Sequence, residues 1–146
     1  MQPIAVTFNP DLVKVRDHQL WDPVRKQWVA HTPEEWVRQL WLQYWIGAGI
    51  PASRMQVEKG LHVHGQPRRT DVVVFDQAFQ PWLLLECKAP TVQLKQSVFD
   101  QIARYNLTLQ VPYLVVSNGH FTFAAHIDHQ AGTYHMLPAL PSIGRP

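Results

Sequence analysis

Apolar positions change their period several times along this 146-residue chain, and each change marks an element. Over residues 1–30 they come in short groups broken by turns. Leu12, Val13 and Val15 precede Asp17-His18, Leu20 and Trp21 precede Asp22-Pro23, and Trp28 and Val29 follow. This pattern predicts a small N-terminal β-hairpin. Thr32-Pro33-Glu34-Glu35 then supplies a helix start. Thr32 is the N-cap, Pro33 sits at the first helical position, and Glu35 closes a capping box. The helix runs to about Ile46, with Trp36, Val37, Leu40, Trp41 and Tyr44 on one side. Gly47, Gly49 and Pro51 end it.

Strand-like patterns follow. Met55, Val57, Leu61 and Val63 lie at odd positions with polar residues mostly between them, and Gly65-Gln66-Pro67 makes a turn. Val72 to Phe75 and Trp82 to Leu85 are continuous apolar runs, as in strands buried on both faces. A second helix is expected over about Gln93 to Leu109, with Val98, Ile102, Tyr105 and Leu109 as its stripe and Phe99 beside it. Pro112 blocks its continuation. Tyr113 to Val116 reads as a buried strand, and Ser117-Asn118-Gly119-His120 turns into another, Phe121 to Ile127. The order helix, three strands, helix, two strands predicts an α/β domain with a central mixed sheet and a crossover helix. A single domain is expected over 1–137, with its core at about 30–128, and 138–146 is expected as a flexible tail.

Composition narrows the function. Only 16% of residues are charged, with seven Asp, four Glu, five Lys and eight Arg, against roughly 25% in an average domain. A cluster of carboxylates is therefore easier to notice. No apolar run reaches the roughly 18 residues of a membrane span, and Met1-Gln2-Pro3-Ile4 lacks a signal-peptide pattern. A cytoplasmic protein with no membrane partner is the expectation. Cys87 is the single cysteine, which excludes an internal disulfide and multi-cysteine zinc or iron–sulfur sites. A net charge of +2 argues neither for nor against nucleic acid.

The candidate chemistry is Asp71, Glu86 and Lys88. Asp71 opens one buried strand, and Glu86 and Lys88 close the next. Antiparallel pairing across the short connecting turn brings Asp71 beside Glu86. Glu86 and Lys88, two apart, share a face of the sheet, while Cys87 points to the other as a small core residue. Two carboxylates, the Cys87 backbone carbonyl and waters make an all-oxygen site suited to Mg²⁺. Such an ion activates water and offsets phosphoryl charge, with Lys88 stabilising the extra negative charge. Metal-assisted phosphodiester hydrolysis is the chemistry this set suits. The plain alternative is a salt bridge at the strand ends, yet charges that close buried strands need a reason to be there. Gln101 and Tyr105, four apart, share a helix face near this set, and Arg104 beside them can reach a phosphate. Their plain alternative is a core tyrosine and solvated polar neighbours.

The Asp71…Glu86-Cys87-Lys88 pattern with Gln101-x-x-x-Tyr105 resembles the PD-(D/E)XK nuclease superfamily. More narrowly, the chain resembles the N-terminal nuclease domain of type I restriction enzyme R subunits. The segments that carry this are Leu20 to Lys26, Thr32 to Gln39, Val57 to Gly60, Arg69-Thr70-Asp71, Leu85 to Pro90, Phe99 to Asn106 and Ser117-Asn118-Gly119. The resemblance implies a restriction-endonuclease-like fold with an αβββαβ core, and Mg²⁺-dependent DNA cleavage, with Mn²⁺ as a substitute. It implies Asp71 and Glu86 as metal ligands and Lys88 as the catalytic lysine. Thr70 stands where the superfamily's proline would be. No G-x-x-x-x-G-K-[ST] loop is present, so a motor, like other restriction subunits, would be a separate partner. Related nucleases often add a glutamate from the first helix; Glu34 is favoured over Glu35, which the capping box already explains. Acids also favour any helix N-terminus. Arg68 and Arg69, with His62 and His64, flank the turn before Asp71 and are candidates for DNA contact. The histidines lack zinc-finger spacing. The Trp36, Trp41 and Trp45 cluster reads as core or a self-association face, and a homodimer is a further partner this reading admits. The competing function is a non-catalytic nucleic-acid-binding or assembly module that keeps the fold, and a purely structural interaction protein comes third.

Overall fold

The computed structural model describes residues 1–57, 60–63, 66–69 and 71–142, with the side chains of 1–57, 71–107 and 109–142. The chain opens with β1 (Val15–Arg16), β2 (Gln19–Asp22) and β3 (Gln27–Ala30). These form a small antiparallel sheet in the order β1-β2-β3, one strand more than the expected hairpin. Asp17 and Lys26 make its tight turns at φ 53° and 54°.

Helix α1 (Pro33–Gly47) starts as its sequence dictates. Thr32 Oγ1 accepts from the Glu35 N–H at 3.1 Å. The reciprocal half of the capping box is replaced. Thr32 N–H donates to the Ala30 carbonyl, and the Glu35 carboxylate accepts from Arg25 and Arg38 instead. The single expected stripe of α1 also divides in two. Val37, Trp41 and Trp45 pack on the large sheet, whereas Leu40 packs with Val13 and Leu20 of the N-terminal layer. Trp41 and Trp45 are fully buried, so they belong to the core rather than to a self-association face.

After α1 come β4 (Met55–Val57), β5 (Gly60–Val63), β6 (Gln66–Arg69), β7 (Val72–Phe75) and β8 (Pro81–Cys87). Helix α2 (Gln96–Asn106) leads to β9 (Tyr113–Ser117), β10 (Thr122–Asp128) and β11 (Thr133–Met136). The large sheet runs β11-β10-β9-β8-β7-β4, and among the described residues β5 and β6 pair with each other in a separate two-stranded sheet that falls between β4 and β7 in the sequence. Within the large sheet β8 and β9 are parallel and the other pairs antiparallel, so α2 is the crossover between parallel neighbours. The mixed α/β expectation therefore holds. The short strand β11 was not expected, because Thr-Tyr-His-Met carries no apolar run.

Side chains alternate between the two faces of the sheet. Val72, Val74, Leu83, Leu85 and Cys87 face α1, while Val73, Leu84, Leu114 and Val116 face α2. Helix α2 is shorter than expected and rotated. Its buried residues are Phe99, Ala103 and Asn106, while Tyr105 is 47% exposed. Phe99 and Ala103 are the residues that fit against the sheet, which turns Val98, Ile102 and Tyr105 toward a cleft at its flank. Within the expected tail, Leu140 packs against the α1-side core, and 143–146 lie outside the described residues. Among the described residues, no helix is long and apolar enough to cross a membrane.

Candidate active site

The β7–β8 register sets the site. Val72 stands opposite Leu85, so one step outward along both strands places Asp71 opposite Glu86. Asp71 lies at the bend just before β7 and closes back on β8: its Oδ2 accepts from the Cys87 N–H at 2.7 Å. The next peptide is held by β9, since the Lys88 N–H donates to the Ser117 carbonyl at 2.9 Å. A trans peptide aims its carbonyl opposite to its N–H, so the Cys87 carbonyl points away from β9, to the Asp71 side. Glu86 and Lys88 share a face as expected, with Lys88 Nζ 3.9 Å from Glu86 Oε1 and both side chains about a third exposed. At that separation and exposure the pair contributes at most about 1 kcal/mol.

Electrostatics follow from this crowding. The Glu86 carboxyl is pushed up from 4.5 to about 7. Burial is the main cause, the Asp71 charge adds to it, Lys88 opposes it, and the Glu34 charge and a hydrogen bond with Asp71 raise it further. Burial also pushes the Cys87 thiol well above its usual value, consistent with a core cysteine rather than a nucleophile.

An unexpected arginine holds this pair from behind. Arg38, 3% exposed on α1, donates from Nη2 to Asp71 Oδ1 at 3.0 Å and to Glu34 Oε1 at 3.3 Å. Its Nη1 donates to Glu35 Oε2 at 2.7 Å. Burial opposes the guanidinium charge, but the hydrogen bond and charge of Glu35 and the charge of Asp71 outweigh it, and the pKa rises. Glu35 Oε1 in turn accepts from Arg25 Nη2 at 2.6 Å, and Arg25 Nε donates to Asp22 Oδ2 at 2.7 Å. Gln39 Nε2 bridges the Asp22 and Glu35 carboxylates. Asp22, Arg25, Glu35, Arg38 and Asp71 thus form a largely buried chain of alternating charge from the small sheet to the candidate site. The two first-helix glutamates separate accordingly. Glu35 is built into this chain, whereas Glu34 is half-exposed and its charge acts on Glu86.

The helix residues also separate. Gln101 and Tyr105 line a cleft of about 260 Å³ with Glu86, Lys88, Val98, Ile102 and Asn106. Arg104 does not join them. It lines another cleft with Asp100, Leu107, Gly132, Thr133 and Tyr134, because consecutive helix positions lie about 100° apart. The side chains of Arg68, Arg69, His62 and His64 lie outside the described residues. Elsewhere, His129 is used structurally, with Nδ1 and Nε2 each 2.8 Å from the Leu107 and Val111 carbonyl oxygens.

The donor set fits a hard cation. Among the described residues no group of three or more His, Cys, Asp or Glu side chains is placed to hold a metal. Mg²⁺ needs fewer, since it keeps several waters and takes one or two carboxylates with substrate oxygens. Asp71, Glu86 and the Cys87 carbonyl would hold it.

Arg38 stands four residues after Glu34, the spacing of an ordinary surface ion pair on a helix. Its place on the deeply buried side of a helix packed between two sheets is the signal that it serves more than a surface pair. A family model for the type I restriction enzyme R protein N terminus matches residues 33–141. No curated protein and no solved structure matches the chain. The match takes in α1, the β7–β8 pair and α2, and so every element that contributes to the candidate site. This chain belongs to the family of type I restriction enzyme R protein N-terminal domains.

Proposed function

We propose that the chain is a metal-dependent nuclease domain of the restriction-endonuclease-like class, hydrolysing DNA phosphodiester bonds. The observation that carries this reading is the Asp71–Glu86 carboxyl pair beside Lys88, at the open end of two buried strands. An ionic trio at such a place costs desolvation, and a bound cation would recover that cost. A bound Mg²⁺ or Mn²⁺ would lower the pKa of a coordinated water and offset phosphoryl charge. The chain's own residues do the rest. Arg38 and the Cys87 N–H hold both oxygens of Asp71 in place. Glu86, poised near neutrality, would give its proton to solvent on holding a cation. Lys88 Nζ, on the same face, holds the attacking water or the developing negative charge of the phosphate. Gln101 and Tyr105 offer an amide and a phenol to substrate oxygens across the cleft. DNA, other restriction subunits and a second copy of this chain are the partners this reading implies.

One observation favours a second reading, a non-catalytic module that keeps the fold. Both Asp71 oxygens already have protein partners. A satisfied carboxylate of this kind also serves as a structural tie. The two readings separate on one gel. Plasmid and linear single-stranded DNA are incubated with Mg²⁺ or Mn²⁺, with and without EDTA, using wild type and Lys88→Ala. Cleavage by wild type alone, abolished by EDTA, is expected; identical traces from the two proteins overturn the nuclease reading.

A further inference from the structure

We infer that the outer face of the small N-terminal sheet is a contact surface for the phosphate backbone of duplex DNA. This rests on the nuclease reading above. In an antiparallel pair, directly opposite residues share a face. Trp21 stands opposite Trp28, and Arg16 opposite Gln19. The Trp21 N–H donates to the Lys14 carbonyl, which sets Lys14 against Trp21 on the far edge. Lys14, Arg16, Gln19, Trp21, Trp28 and Ala30 therefore lie on one face, with Lys26 in the turn that ends it.

The opposite face is accounted for. Leu20 and Asp22 are fully buried against α1, so the Trp21 face is the outward one. It carries two exposed cations, Lys14 and Arg16, with the exposed Lys26 in the turn at its end, and no carboxylate on those strand positions. Of the acids adjacent in sequence, Asp17 sits in the β1–β2 turn and Asp22 on the opposite, buried face. In a chain with a net charge of only +2, that is a concentrated positive patch.

The aromatic residues explain how the patch is held. The Arg16 guanidinium lies 4.1 Å above the Trp28 ring, and Trp21 meets Trp28 edge-on at 5.4 Å. The cation–π contact keeps the guanidinium displayed instead of free to wander. It also covers the ring that a flipped-out base would need for stacking, which is the mode of single-strand binders. What the face offers is ordered positive charge, and that matches a duplex backbone. A chain of ion pairs runs from beside this surface to the candidate site. Lys26 follows Arg25, which leads through Glu35 and Arg38 to Asp71 by three ion pairs of 2.6, 2.7 and 3.0 Å. Residues 14–30 precede the family match at 33–141, so this contact would be an addition to the matched span.

The test compares wild type, the triple variant Lys14→Ala/Arg16→Ala/Lys26→Ala, and Lys95→Ala, an exposed cation at the start of α2 away from this face. Duplex and single-stranded DNA of equal length are titrated in EDTA across a salt series, with circular dichroism confirming the fold. For the triple variant we expect duplex affinity to fall about tenfold or more, and the slope of log K against log salt to shrink by about 2–3, near one per phosphate lost. Lys95→Ala should match wild type. An unchanged triple variant, an equal loss from Lys95→Ala, a loss confined to single strands, or a wild type that binds no DNA each overturns the inference. The nuclease reading is judged separately, by EDTA-sensitive cleavage and its dependence on Lys88.

Discussion

Glu86 carries the most telling perturbation at the residue scale. Its carboxyl ionises near 4.5 in the unfolded chain and near 7 in the fold. Between those values the folded state holds a proton that the unfolded state has lost, so stability falls as pH rises. Above about pH 7 the loss is complete, at roughly 3 kcal/mol in the absence of bound metal. Urea midpoints measured between pH 4.5 and 7 should decline for wild type, and the decline should flatten in Glu86→Gln; parallel profiles would contradict the assignment. Arg38 acts in the opposite sense, as the cation that makes the buried carboxylates tolerable. Arg38→Gln leaves Glu35 and Asp71 without their shared partner, and should cost about 3–5 kcal/mol in chemical denaturation. Arg38→Lys keeps the charge but loses the two-armed geometry, and should fall between. A loss under about 1 kcal/mol for Arg38→Gln, the range of exposed pairs, would show that the buried chain of charges does not support the fold.

At the scale of elements, α1 is the organising piece. It is buried between two sheets, fills the core with Trp41 and Trp45, and delivers Arg38 to the end of β7. The turn between β9 and β10 packs against the same helix. Gly119 there has φ +87°, and a Cβ would meet Val37 Cγ2 at 3.3 Å. Asn118 ties the turn down, accepting from the His120 and Phe121 N–H groups and donating to the Val92 carbonyl. Gly119→Ala therefore meets both backbone strain and a crowded neighbour. We expect a loss of roughly 1–2 kcal/mol by thermal or urea unfolding, against no loss, or a gain of up to about 1 kcal/mol, for Gly47→Ala, which lies in helix α1 and whose Cβ meets nothing. Equal losses would remove the packing argument. The start of α1 and the buried strands were legible because a cap and continuous apolar runs are local signals. The face of α2 was not: Val98, Ile102 and Tyr105 have the right spacing, but so do Phe99 and Ala103, and only the sheet beneath decides between two overlapping stripes.

For the whole molecule, the proposed cation would link metal, proton and fold. A cation that needs the Glu86 carboxylate competes with its proton, so it stabilises the domain more above pH 7 than below. Saturating Mg²⁺ should raise the melting temperature more at about pH 8 than at about pH 6, since a ligand at 100 times its Kd adds about 2.7 kcal/mol. Equal shifts at the two pH values, or the same shifts in Glu86→Gln, would place the ion elsewhere.

What the chain alone determined is what neighbours in sequence can enforce. The Thr32-Pro33 cap, the apolar runs of β7 and β8, and the two-residue spacing of Glu86 and Lys88 fix elements and faces by local geometry. The short β7–β8 connection also led to the expectation that Asp71 lies beside Glu86, because antiparallel neighbours joined by a short turn bring the start of one strand to the end of the other. Tertiary structure decided the rest. Arg38 reaches Asp71 across 33 positions, and Asp22 and Arg25 join it from another sheet. Arg104 turns into a different cleft from Tyr105, its immediate neighbour. Long-range partners are chosen by packing and by the cost of leaving a buried charge alone, and neither is written in the spacing of residues along the chain.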